Sequence, residues 1–187
     1  MVLAWRFNFV LLGFSLFSTV VFPRDSTAKA FYSKQEALAV AFLDADKIDT
    51  QTFFLTDAQA QHVATLAGAP LESKLATVYV GQHAGQLLGY AFIETSIVRT
   101  LPETFLIVIS PTGVVQKLFI LAFYEPEEYM PSERWLKQFE QQKLHPALQV
   151  RRDIHGIAGA TLTSRAITSG VRRALALFHV LLQKDSN

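Results

Sequence analysis

Between His155 and Leu177 the chain reads HGIAGATLTSRAITSGVRRALAL: two glycines and a cluster of small hydroxylated residues running into a basic helical stretch. Gly156 and Gly159 permit a tight turn and close approach by another group, while Ala158 and Ala160 keep the surroundings small. Thr161, Thr163 and Ser164 place hydroxyls at the entry to a helix, where unpaired amides and the positive end of the dipole lie, and Arg165 follows in the first turn. Such an entry suits a phosphate group. It is also the make-up of an ordinary helix cap after a glycine turn, because Ser and Thr are common caps. The residue types alone leave both readings open.

Other chemistries find little support. The chain has no cysteine, which removes disulfides, thiol nucleophiles, thiolate zinc sites and cysteine-ligated iron–sulfur clusters. Its histidines, His62, His83, His145, His155 and His179, never fall three or four apart, so a helical metal pair is absent and no metal site is expected. No G-x-S-x-G, Walker loop or G-x-G-x-x-G occurs. The acidic run Glu125-Pro126-Glu127-Glu128-Tyr129 reads as a solvated loop, and most phenylalanines fall at core positions of strands and helices. A net charge of +1 gives no case for nucleic acid, which wants a dense basic face.

The segment AGATLTSRAIT resembles the S/T/A-G-A-T-x-T/S motif of the FMN-binding domain family. That family includes the flavin-bearing G and C subunits of the ion-translocating Rnf and Na⁺-pumping NADH:quinone oxidoreductase complexes, and small exported flavoproteins. The order of features over about residues 70–180 is similar too: a hairpin-rich centre ending in LIVISPTGVVQKLFIL, a Glu-Pro loop, the aromatic segment WLKQF, then the G-A-T helix. The resemblance implies FMN as cofactor, its phosphate esterified to Thr161 within Gly159-Ala160-Thr161 by a separate Mg²⁺-dependent flavin transferase that uses FAD. Thr163 or Ser164 would add hydrogen bonds to the phosphate. Glu125, Tyr124, Tyr129 and Trp135, in and after the Glu-Pro loop, are candidates for the ring environment.

Two positions depart from the family pattern. His155 stands six residues before Thr161, where Asp is common, and the nearest acid is Asp153; Ala158 stands where Ser or Thr is usual. The flavin is therefore expected to be either covalent through Thr161 or noncovalent. The resemblance implies an electron-transfer flavoprotein with a membrane or periplasmic redox partner, and it assigns no catalytic residue. No nicotinamide pattern points to a self-sufficient reductase. The alternatives are a structural or binding module that keeps the fold without flavin, and an oxidoreductase acting on its own small substrate beside the ring.

The elements that must position these residues can be read in outline. Residues 1–30 begin with a single Arg, continue through sixteen uncharged residues from Phe7 to Phe22, and end at Ala28-Lys29-Ala30. A basic start, a short apolar run and a small-x-small site make an export signal or, if uncut, an N-terminal anchor, with the rest of the chain periplasmic or on the periplasmic face of a membrane. Residues 31–187 read as one FMN-binding domain of α+β class, an antiparallel sheet of hairpins packed with helices. Ser33 with Glu36, and Thr56 with Gln59, form capping boxes that open two helices, the second stopping at Gly68. Strand pairs are expected on either side of Gly81–Gly85 and of Pro111-Thr112-Gly113. A helix capped by Ser132 carries Trp135, Leu136 and Phe139 on one face, and a last helix runs from about Thr163 to Gln183.

Overall fold

The computed structural model describes residues 29–183. The segment before Lys29, and with it most of the expected export signal, lies outside the described residues. Six strands form one antiparallel sheet in the order β1-β6-β5-β4-β3-β2, giving an α+β fold. The strands are β1 (Lys29–Ala30), β2 (Lys47–Phe54), β3 (Leu75–His83), β4 (Gln86–Ile97), β5 (Pro102–Ile109) and β6 (Val115–Phe123). The helices are α1 (Lys34–Ala41), α2 (Asp57–Ala67), the single turn α3 (Glu133–Leu136) and α4 (Thr161–Leu181).

Strand β5 is central because its sequence is apolar on both faces. Phe105, Ile107 and Ile109 point into a core shared with α2, α3 and α4, while Leu106 and Val108 point to a smaller core under α1. Each side chain so buried contributes roughly 1.5–3 kcal/mol over its exposed state. Long helix α4 lies on the larger core. Gly170 lets it approach closely: a Cβ there would stand 2.5 Å from Cζ of Phe105. Three residues on, the Arg173 guanidinium grips Glu94 of β4 through Nε at 2.8 Å and Nη2 at 2.6 Å. Arg172 instead donates to four carbonyls, those of Leu66 and Ala67 at the end of α2 and of His145 and Leu148 in the loop ahead of α4. A buried guanidinium without a carboxylate is tolerable there because four carbonyls solvate it, and the Leu66 and Ala67 oxygens among them form the negative end of the α2 dipole.

Both capping boxes form as the spacing requires, at Ser33–Glu36 and Thr56–Gln59, and Gly68 closes α2. Other boundaries differ. The first hairpin turns at Ala84-Gly85, both with positive φ, whereas Gly81 lies inside β3 at a register shift, facing the ring of Phe42. The segment after Ser132 winds only one α-turn before tightening into a 3₁₀ turn over Lys137–Phe139. Helix α4 begins at Thr161, two residues ahead of expectation. Strand β2, Lys-Ile-Asp-Thr-Gln-Thr-Phe-Phe, has no apolar alternation because it is an edge strand with little buried surface on either side.

Candidate functional site

Three segments meet at one end of the sheet: the turn from β4 to β5, the loop after β6, and the start of α4. They form an open cleft of about 230 Å³ lined by Val98 and Arg99, by Glu125 and Tyr129, and by residues 159–163. The α4 wall is built from the chain's small residues. Gly159 holds φ at +78° on an open surface, where a side chain would be strained by the backbone rather than by crowding. Ala160 occupies the N-cap and provides no side-chain cap, so the first amides of the helix are left without one. Thr161 and Leu162 are exposed, and Thr163 is buried beside them.

Ser164 holds this loop in shape. Its hydroxyl accepts from the Ile157 amide at 2.9 Å and donates to the Ala160 carbonyl at 3.1 Å. Upstream, the Trp135 indole donates to the His155 carbonyl at 2.6 Å, and the His155 amide donates to Gln138 at 2.8 Å. The His155 side chain stays exposed.

The opposite wall depends on Glu125. Its Oε1 accepts three consecutive backbone amides, Arg99 at 3.0 Å, Thr100 at 2.9 Å and Leu101 at 2.9 Å. Burial pulls this carboxyl upward, but the three amides and the Arg99 charge outweigh it and hold it below the usual glutamate range. Arg99 also lies 5.3 Å from the centre of the Tyr129 ring, a cation–π contact. One glutamate thus shapes the β4–β5 turn and keeps a negative charge in the cleft wall.

Among the described residues, three buried side-chain oxygens have no hydrogen-bond partner: Oγ1 of Thr163 and both carboxyl oxygens of Glu103. A buried polar group left unpaired costs about 1–3 kcal/mol. Thr163 is among the residues around the cleft, and its orphaned hydroxyl is buried in the first turn of α4 beside the uncapped helix start. Glu103 lies two residues beyond the amides that Glu125 gathers, and burial together with the Glu125 charge pushes its carboxyl up to about 8.

The structure brings Gly159, Ala160, Thr161, Thr163, Glu125 and Tyr129 together. Three other expected residues do not line the cleft. Ser164 is fully buried with its hydroxyl turned back into the loop. Trp135 packs edge-on against Phe139 and spends its indole N–H on His155. Tyr124 is half-buried at the end of β6, its amide donating to Pro102 at 3.2 Å. Arg99, Leu162 and Glu103 were not anticipated. Nothing in the sequence marks Arg99. Glu103 had a signal: in Glu-Thr-Phe-Leu-Ile-Val-Ile it shares the core-facing parity of Phe105, Ile107 and Ile109.

These features suit a phosphate monoester: uncapped amides, an exposed hydroxyl, an orphaned hydroxyl and a nearby guanidinium. Residues 100–176, which hold most of this cleft, match the family model described as FMN-binding domain. That match supports an FMN-binding domain family for this chain. A search of curated proteins found no match. The family supports FMN as the cofactor, and the cleft fits its phosphate end. The matched segment takes in β5, β6, the Glu125 loop and most of α4, whereas Val98 and Arg99 come from just ahead of it.

Proposed function

We propose that the domain carries FMN as a phosphate ester on Oγ1 of Thr161 and exchanges electrons with a membrane or periplasmic partner after export. The observation that carries this reading is the exposure of Thr161 as the first residue of α4, beside uncapped amides and the orphaned Thr163 hydroxyl. The reading draws on the family resemblance for the ester and on the pattern of residues 1–30 for export.

A threonine hydroxyl is a weak nucleophile, and a separate flavin transferase with Mg²⁺ supplies the activation. Thr161 Oγ1 bonds to the flavin-side phosphorus of FAD, the anhydride P–O bond breaks, and AMP leaves as the hydroxyl proton departs. This chain's contribution is presentation: Gly159 and Ala160 keep the approach open, and Ser164 fixes the loop from behind. When bound, the flavin supplies reversible electron transfer, and the protein holds it and sets access. The cleft is smaller than pockets that enclose a whole ligand of that size, which leaves a route for a partner to reach the ring.

A second reading is favoured by His155, which stands where family members commonly carry Asp. In it FMN is held noncovalently, or the domain is a flavin-free binding module. Co-expression of the full chain with a flavin transferase separates these readings. A denatured protein band that fluoresces as flavin, with the mass raised accordingly and both lost in Thr161→Val, supports the ester. Colour that washes out on denaturation with the apo mass retained sinks the ester and leaves noncovalent FMN. No flavin under either condition leaves only the binding module.

A further inference from the structure

Glu103 is fully buried, and neither of its carboxyl oxygens has a partner. It stands opposite Phe123 in the β5–β6 register, two residues before Glu125. Glu125 is held as a carboxylate by three amides and lines the cleft. Two neighbouring carboxyls in a desolvated place do not both ionise. The one with three amide donors keeps the charge, and the one with none keeps the proton. Nothing in the established features of the fold uses that proton.

We propose that Glu103, buried outside the cleft lining, holds a proton linked through Glu125 to whatever negative charge the cleft receives. The proposal rests on the FMN reading for the identity of that charge, a flavin phosphate and, after reduction, the ring. Added negative charge near Glu125 strengthens proton binding at Glu103; reciprocally, a protonated Glu103 favours the anion. On the same sheet face Glu94 of β4, opposite Phe105, is paired with Arg173 of α4. Glu125 acts on Glu103 directly, and Arg99 from the β4–β5 turn acts on Glu125. Lys29 of β1, opposite Phe123, and Glu127 of a 3₁₀ turn over Glu127–Tyr129 line a neighbouring cavity together with Glu125. The start of α4 brings Thr163, which is uncharged, and Arg165, which is exposed. Burial pushes Glu103 up to about 8, so the exchange falls in an accessible pH range.

The test is carboxyl-carbon NMR of the full chain labelled on glutamate, titrated with pH, as apoprotein and after flavin loading by co-expression with a flavin transferase. The expected result is one carboxyl titrating well above the rest, absent in Glu103→Gln and moved down in Glu125→Gln. In the flavin-bearing protein the same carboxyl binds its proton about ten-fold more tightly, a shift of one in its midpoint. A Glu103 signal that titrates with the ordinary glutamates overturns the proposal outright. A raised midpoint unchanged by flavin overturns the linkage while the FMN reading stands. A chain that accepts no flavin at all overturns the FMN reading and the linkage with it.

Discussion

The indole Nε1 of Trp135 donates to the carbonyl oxygen of His155 at 2.6 Å, tying the turn that follows β6 to the loop that precedes α4. The two residues are far apart in sequence, yet this bond and the Gln138 contact fix where the small-residue loop starts. Trp135→Phe keeps an aromatic ring against Phe139 and removes the donor. It is expected to cost about 1–2 kcal/mol by urea denaturation and to lower the flavin yield more than a control of equal stability does. An unchanged yield would show that the loop holds its shape without the indole.

Gly159 and Gly170 separate site from scaffold. Alanine at Gly170 drives a methyl into the Phe105 ring and should destabilise the domain by about 1–3 kcal/mol. Alanine at Gly159 meets no atom within 4 Å and is disfavoured only by its φ of +78°, a local cost of about 1–2 kcal/mol. Gly159→Ala is therefore expected to lose more flavin loading than its fall in melting temperature accounts for, and Gly170→Ala to lose loading only in step with its melting temperature. Thermal melts alongside flavin fluorescence read both.

Arg172 is expected to be the most sensitive cation in the domain. Arg172→Met keeps the aliphatic stem and leaves four carbonyls without their donor. A loss of about 3 kcal/mol or more follows, because hydrogen bonds to charged groups are the strong ones. Hydrogen exchange should show the end of α2 and residues 145–148 loosening together; loosening of α2 alone would contradict the tie.

Stability should also depend on pH through Glu103. The folded carboxyl, at about 8, holds its proton more tightly than an ordinary glutamate at 4.5. The folded state therefore binds more protons than the unfolded state between those values, and unfolding free energy falls as pH rises through that window, then levels off. The full effect is at most about 5 kcal/mol. Denaturation of the apoprotein at several pH values checks it: Glu103→Gln should flatten the decline, and a wild-type curve that rises between pH 5 and 8 would refute it.

How much of this was legible beforehand depended on local chemistry. Capping boxes at Ser33 and Thr56 act within four residues, and they form as read. The Pro111-Thr112-Gly113 hairpin and the G-A-T turn are equally local. Strand β2 was invisible because an edge strand needs no apolar stripe, and Lys47, Asp49 and Gln51 look like loop residues. Trp135 and Tyr124 were placed near the ring for their aromatic faces, whereas the structure commits Trp135 to the core and Tyr124 to the end of β6. Glu125 was visible as an acid, but its grip on Arg99, Thr100 and Leu101 depends on a β5–β6 register that no local pattern encodes.

The cleft's three walls come from segments that only the finished sheet and a docked α4 bring together, so it is a late-assembling object with no partial form. A ligand spanning them clasps the turn before β5, the exit of β6 and the head of α4 in a single grip. Such a ligand slows global unfolding and leaves local opening of the edge strand β2, which it does not touch, unchanged.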